Sequence, residues 1–278
     1  VLPTINIIDG RKIALQIRQE IKKEIAELGI TPGLAVILVG DDSASHLYVE
    51  LKERAAAEVG VHFEKYLFFA TEPEEKIIAK IRKLNEQPDI HGIVVQLPLP
   101  SHFNENKIVT AIDQKKDADG FHPTSIEKLL HDEPTIVPPV ISGILKLIEA
   151  TGEEIVNKKI AILANSETFI KPLQKILEKD NQVAYAIAPE NTTPITRDAD
   201  VIITALGRPK FLTGEMIKDG TILIDVGTTR LADGALVGDI DPESTAAKAA
   251  WITPVPGGVG PMTVAMLLRN VLELAKKQ

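Results

Sequence analysis

The sequence predicts an α/β fold in two domains, each a parallel sheet covered by helices. Three observations predict it. Apolar runs of strand length alternate with helical patterns almost throughout. The clearest strand-like run, LAVILVG at 34–40, is apolar without interruption, as in a strand buried on both faces. The rhythm breaks once, over DQKKDADGFHPTSIEKLLHDEPTIVPPVIS, and then restarts.

The elements follow in order. RKIALQIRQEIKKEIAELGI places Ile13, Ile17, Ile21, Ile25 and Leu28 at helical spacing, with Gly29 as the stop. After the 34–40 strand, SASHLYVELKERAAAEVGV reads as a helix capped by Ser43 or Ser45 and ended by Gly60. Its expected core stripe is Leu47, Leu51, Ala55 and Val59, with Tyr48 and Lys52 displaced toward its edge. A strand at 62–69 precedes a third helix, where Pro73, Glu74 and Glu75 suit the first turn. IHGIVVQLPLP at 90–100 is a strand running into a proline-rich turn. Beyond the weak stretch, a helix near 143–151 opens the second rhythm. Its strands are expected at 158–163, 182–188, 199–207 and 221–227, with a short fifth at 251–254. The changeover falls near 120–145.

Composition limits function. The 278 residues are 44% hydrophobic and 25% charged, enough for a real core. A net charge of −8 argues against a general role on nucleic acid or an anionic membrane, and 4% aromatic content offers little for base stacking. With no cysteine there is no disulfide and no thiolate nucleophile or ligand. The N-terminal VLPTINIIDGRK lacks a signal-peptide pattern, and no apolar run reaches the length of a membrane span.

In open parallel sheets, ligands bind at the carboxyl ends of strands. Gln96 ends one strand, Tyr48 and Lys52 share a helix face, and Asp119 lies in the turn KDADGF. By spacing alone, Tyr48 and Lys52 read first as an amphipathic flank. Gln96 then reads as a strand-end hydrogen bonder and Asp119-Gly120 as a turn. The six histidines show no metal-ligand spacing, and GDDS at 40–43 reads as a solvated turn, so no metal is expected. In the second domain the turn ANSETFIKP holds no glycine, which weakens a phosphate-cradle reading, although Ser166 and Thr168 can still donate. ALGRP (205–209) and DVGTT (225–229) each place a glycine at a strand end, where a flat ligand could lie on bare backbone.

Taken together, SASHLYVELKERAAAEVG, GIVVQLPLP, KDADGFHP, ALGRPKFLTGEMIKDGTILIDVG and ITPVPGGVGPMTVAMLLRN resemble the bifunctional methylenetetrahydrofolate dehydrogenase/cyclohydrolases over essentially the whole chain. The resemblance implies a folate-binding catalytic domain at 1–120 plus 258–278 and a Rossmann-like NAD(P)-binding domain at 121–257. The C-terminal helix would return to the first domain. It implies oxidation of 5,10-methylenetetrahydrofolate by hydride transfer, then hydrolysis of the methenyl product to 10-formyltetrahydrofolate. Lys52 would be the catalytic lysine, tuned by Gln96. Tyr48 would pack on the folate and Asp119 would bind the pterin, with Ser45 a further match in the helix motif. Pro256, Gly257 and Gly258 would lie in the loop by the folate and nicotinamide, and Ala164, Asn165, Ser166 and Thr228 at the cofactor. A cytoplasmic homodimer built through the second domain is implied too, with a folate substrate and neither nucleic acid nor membrane as partner.

The chain departs from the family's pattern on the nucleotide side. PPVI (138–141) replaces PCTP, DVGTT replaces DVGIN, and ANSETFIKP replaces GRSxxVGxP. Asn165 thus stands where the family has the arginine that meets the 2′-phosphate of NADP, and Glu167 adds a negative charge. Phe169 and Ile170 add bulk beside the pyrophosphate path. The expectation is weak binding of NADP or NAD, with no preference for NADP and room for a preference for NAD, unless Lys171 replaces the arginine. Two alternatives remain open: a monofunctional cyclohydrolase with a degenerate nucleotide site, and a non-catalytic folate-binding protein. A two-domain dehydrogenase of another small substrate would share the architecture but not the folate-side motifs.

Overall fold

The computed structural model describes residues 5–190 and 193–278. Residues 1–4, where the stretch read for a leader begins, lie outside the described residues. The elements are β1 (Asn6–Ile7), α1 (Gly10–Leu28), β2 (Gly33–Val39), α2 (Ser43–Val59), β3 (His62–Phe68), α3 (Glu74–Asn85) and β4 (Gly92–Val95). Then come α4 (Glu105–Val109), α5 (Pro123–Leu130), α6 (Pro139–Glu149), β5 (Lys159–Ala164), α7 (Glu167–Leu177), β6 (Gln182–Ile187), α8 (Thr193–Thr196) and β7 (Val201–Ala205). The chain closes with β8 (Ile222–Asp225), β9 (Thr229–Arg230), β10 (Leu236–Val237), α9 (Pro242–Thr245), β11 (Trp251–Ile252) and α10 (Val259–Ala275). The α/β reading holds.

The chain forms two compact units: Ala14–Pro139 with Val264–Gln278, and Val1–Ile13 with Val140–Thr263. The division falls at 139/140 rather than at the expected 120/121, and the N-terminal segment groups with the later unit. The reason is β1, which pairs with β11 (Asn6↔Trp251). A two-residue strand has no periodicity to read, so only its partner reveals it.

The first unit holds a parallel sheet in the order β3-β2-β4. All seven residues of β2 are buried, and Ile37, Ile77, Ile81 and Ile93 form the heart of one core cluster. Asn270 donates from Nδ2 to the carbonyls of Ala118 and Val137, each at 3.0 Å, which pins the segment carrying Asp119. The short helix α5 occupies the stretch where the sequence showed little pattern, and α4 precedes it.

Helix α2 corrects the expected stripe. Asp42, not a serine, is its N-cap and accepts from the Ser45 N–H at 2.8 Å, while Gly60 ends it at φ +89. Its buried face comprises Ser45, Val49, Lys52, Ala55, Ala56 and Val59, so Ala55 and Val59 of the expected stripe are buried, whereas Leu47 and Leu51 are each 43% exposed. The cause is helical geometry. Steps of four residues drift about 40° each around a helix of 3.6 residues per turn, while alternating steps of four and three stay on one face. Lys52 therefore sits on the buried face, not at its edge.

The second unit holds a six-stranded parallel sheet in the order β1-β11-β8-β7-β5-β6. A small antiparallel hairpin, β9-β10, was not legible in advance. β7 and β8 are buried over nearly their whole lengths, and Ala161, Leu163, Ile202 and Leu223 anchor the core. Among the described residues no helix is long and apolar enough to cross a membrane.

Candidate active site

In the first unit, β3 and β4 flank β2, so successive crossovers run in opposite directions. This makes a switch point beyond the carboxyl ends of β2 and β4. Gln96 stands there, its N–H bonded to the Ile37 carbonyl at 2.8 Å. The Lys52 Nζ donates to Gln96 Oε1 at 2.9 Å, and Gln96 Nε2 donates to the Leu97 carbonyl at 2.7 Å. Both ends of the amide are thus engaged, which fixes the oxygen toward the lysine. Lys52 is only 6% exposed. Burial pushes its pKa below the ordinary lysine value, and the Asp119 charge partly opposes that shift.

Asp117 and Asp119 behave differently. Asp117, paired beside Ile93 of β4, accepts from the N–H groups of Gly120 and His122, each at 3.0 Å, and from Ser125 Oγ at 2.7 Å. It clamps the turn. Gly120, at φ +70, has no room for a side chain, because a Cβ would lie 2.9 Å from the Pro138 nitrogen. Asp119 is half-buried, and among the described residues no hydrogen bond is donated to its carboxylate. Burial raises its pKa, the Lys52 charge lowers it, and Asp117 raises it further. Tyr48, one turn before Lys52, is half-buried, and burial raises its phenol pKa. Ser45 is buried and serves the Asp42 cap through both backbone and hydroxyl. The first unit therefore brings Tyr48, Lys52, Gln96 and Asp119 into one neighbourhood and leaves Ser45 in the helix cap. A buried ammonium with one polarised partner can move a proton, and an unserved carboxylate can receive N–H donors.

In the second unit, β5 lies between β6 and β7, which gives a second switch point. Asn165 spans it, donating from Nδ2 to the Leu206 carbonyl at 2.5 Å. Ser166 caps α7, accepting from the Thr168 N–H at 3.1 Å. Ala164 is buried at 1% exposure and Thr228 is exposed. Ile170, expected to crowd the phosphate path, is fully buried in the core, because it occupies the inward face of α7. Phe169 is half-buried. Lys171 is ion-paired with Glu167.

The two glycine loops differ. Gly207 has φ +64 and open space where a Cβ would lie, so bare backbone is indeed presented there. At Gly227 the space is filled, since a Cβ would meet the Asp239 carboxylate at 2.2 Å. A Cβ at Gly238 would meet Asp225 Oδ2 at 2.0 Å. These glycines make room for two buried carboxylates that the sequence reading missed. Asp239 accepts from Leu206 N (2.6 Å) and Arg208 N (2.7 Å). Asp225 accepts from Gly227 N and Asp239 N at 3.0 Å and from Ile240 N at 2.9 Å. Burial, reinforced by the Asp239 charge, pushes the Asp225 pKa up to about 7 against those hydrogen bonds. The signal was the pairing of Asp with Gly in DVG and GD, which only spatial proximity makes readable.

The loop before α10 has exposed and buried positions. Pro256 is exposed, whereas Gly257 and Gly258 are buried. Gly257, at φ +118, accepts from the Arg11 N–H at 3.1 Å, and a Cβ on Gly10 would meet the Gly258 carbonyl oxygen at 2.0 Å. Of the loop's glycines, Gly257 needs positive φ and Gly258 needs bare backbone, because its Cβ would lie 2.7 Å from the Thr253 Cβ and 2.8 Å from the Pro254 carbonyl oxygen. A cation-sized group also appears among residues that showed no metal spacing in sequence. His62, Glu64 and Asp89 place ligand atoms within 4.8 Å of one another. His62 and Tyr66 both already bond Glu64, and His62 and Asp89 are exposed, so the group is a solvated polar network.

Comparison with known proteins agrees in both units. Residues 8–119 match the family model for the tetrahydrofolate dehydrogenase/cyclohydrolase catalytic domain. Residues 138–278 match the model for that family's NAD(P)-binding domain. The chain is 44% identical to a bifunctional protein FolD of Geobacillus thermodenitrificans over 282 residues, covering 99% of this chain and 98% of the relative. It is similar to the crystal structure of the bifunctional FolD enzyme from Campylobacter jejuni, with a TM-score of 0.93 and 37% identity, covering 98% and 99% of the two chains. It is also similar to the FolD of Trypanosoma brucei complexed with NADP cofactor and inhibitor, with a TM-score of 0.95 and 36% identity, covering 99% and 98%.

Proposed function

The chain belongs to the tetrahydrofolate dehydrogenase/cyclohydrolase family, and on that premise we propose how its own residues carry the chemistry. It is a bifunctional enzyme of one-carbon metabolism. It interconverts 5,10-methylene-, 5,10-methenyl- and 10-formyltetrahydrofolate. The 2.9 Å bond from buried Lys52 to Gln96, beside an Asp119 carboxylate with no donor, carries the residue-level reading. A pure binder has no use for a desolvated lysine held by an amide.

Hydrolysis of the methenyl carbon adds water and opens one carbon–nitrogen bond. Lys52, its pKa lowered by burial, takes part as the proton carrier for that water and for the departing nitrogen. Gln96 holds the ammonium in place through Oε1. Asp119 receives the pterin's N–H donors, and the Tyr48 ring covers the flat substrate.

Bound NAD or NADP supplies the hydride acceptor for the dehydrogenase step. The second unit fits such a group: a switch point, an eleven-residue helix starting beside it, and open backbone at Gly207. Asn165, Ser166 and Gly207 would hold the nucleotide. Ile170, one of the two side chains expected to obstruct it, lies in the core, which favours the bifunctional reading over a cyclohydrolase with a degenerate nucleotide site. The proposal extends to a cytoplasmic homodimer. In support, β6 is an edge strand with Tyr185 and Ile187 exposed at 45% and 43%.

Paired assays test the reading. Methylenetetrahydrofolate oxidation is followed with NAD or NADP, and methenyltetrahydrofolate loss is followed with neither. Both activities are expected. Hydrolysis without oxidation under any cofactor would leave the monofunctional reading, and loss of neither substrate would leave the binding protein.

A further inference from the structure

We infer that Arg208 is the residue that receives the 2′-phosphate of NADP, so that this chain prefers NADP to NAD although Asn165 stands where an arginine was expected. The inference rests on the second unit's being a nicotinamide-dinucleotide site.

In a sheet of this order, the pyrophosphate lies over the end of the first strand. The 2′ position of the adenosine ribose then lies at the end of its outer neighbour. Here these strands are β5 and β6. β6 ends at Ile187, and the chain turns at Ala188 with φ +43. A carboxylate at such a strand end selects the NAD hydroxyl, and an arginine admits the NADP phosphate.

Arg208 follows β7, yet its guanidinium reaches the end of β6. NH1 donates to the Pro189 carbonyl at 2.6 Å and NH2 to the Ala188 carbonyl at 3.4 Å. Because β5 lies between β7 and β6, the side chain crosses the end of β5, over the crevice itself. Its base is rigid, with the backbone N–H held by Asp239 at 2.7 Å and Phe211 under the guanidinium at 5.4 Å. A guanidinium has five N–H donors, and the two carbonyls use only part of them. The remainder suit a phosphate, for which Arg is the better partner.

The two residues weighed for this phosphate from the sequence have other partners. Asn165 donates to the Leu206 carbonyl, and Lys171 is paired with Glu167 on the first turn of α7. Glu190 is the one carboxylate just past β6 among the described residues. It is exposed, and Arg208 lies on the two residues before it.

The test is equilibrium binding of NADPH and NADH to the full chain without folate, read by nucleotide fluorescence. The wild type is expected to bind NADPH about tenfold or more tightly than NADH. Arg208→Gln is expected to weaken NADPH by about tenfold to a hundredfold while NADH changes by less than about twofold. Arg208→Lys should restore part of the NADPH affinity, since it returns the charge without the fork. Equal losses for both nucleotides would make Arg208 a structural residue and overturn the inference. So would a wild-type preference for NADH, or a preference that survives Arg208→Gln and disappears in Lys171→Ala. Binding of neither nucleotide by wild type would overturn the dinucleotide reading and this inference with it. Binding of both without discrimination would overturn the inference alone.

Discussion

Two buried acidic neighbourhoods, one in each unit, teach opposite lessons. Asp225 and Asp239 are both nearly inaccessible, at 3% and 0% exposure, and are served by backbone N–H groups from several loops. Asp119 is more open, lies beside a buried lysine, and has no donor among the described residues. The first arrangement is saturated and holds the strand-end loops together. The second has no donor, and under the proposed function a substrate supplies it. Saturation by backbone donors separates a carboxylate that builds the site from one that acts in it.

The largest break in this comparison should come from Lys52→Ala. Methenyltetrahydrofolate hydrolysis is expected to fall by about a hundredfold to ten-thousandfold, the usual contribution of a positioned proton carrier. Lys52 is buried, so circular dichroism and urea unfolding must accompany the assay. A folded variant with near-normal hydrolysis would remove Lys52 from the chemistry.

Asp239→Ala attacks the saturated side. It strips an acceptor from the N–H groups of Leu206 and Arg208 and should destabilise the chain by about 3 kcal/mol in urea unfolding. A loss below about 1 kcal/mol would show that these donors find other acceptors. The same cluster has a pH signature. The folded pKa of Asp225, about 7, stands above the ordinary aspartate value of 3.8, so the native state binds the proton more tightly. Its contribution to stability is therefore full below about pH 4 and is lost as pH rises toward 7. Asp225→Asn should flatten that part of the stability profile, and an unchanged slope would count against the raised pKa.

Asp119→Asn should act the other way round. Folate affinity is expected to fall by about tenfold to a hundredfold, equivalent to about 1.5–3 kcal/mol for a charged hydrogen-bond partner. Stability above neutral pH should hold or rise, because a buried unserved charge is removed. A stability loss with unchanged affinity for a folate analogue would make Asp119 a turn residue.

Gly207→Ala is the smallest change. Its φ of +64 costs a side chain about 1 kcal/mol, while open space spares it a clash. Nucleotide affinity should fall more than folate affinity. Equal effects on both would show that the loop is not specific to the nucleotide.

Much of this was legible in the sequence. Uninterrupted apolar strands and glycine-ended helices mark both sheets. Tyr48, Lys52, Gln96 and Asp119 sit in local motifs that survive as a cluster in the fold. The buried face of α2 was misread because a four-residue stripe drifts around the helix. The reach of Arg208 to the end of β6 was hidden for another reason: it depends on β5 lying between β7 and β6, and no window of residues contains that fact. Asp225 and Asp239 were hidden likewise, since their partners lie up to 33 positions away.

The titration of Lys52, followed by NMR at its Cε, tests the contrast most directly. The account predicts a pKa below the ordinary lysine value of 10.5 in the wild type. It predicts a still lower pKa in Asp119→Asn, where the charge that props it up is gone. A wild-type value at or above 10.5, or no difference between the two proteins, would contradict the account.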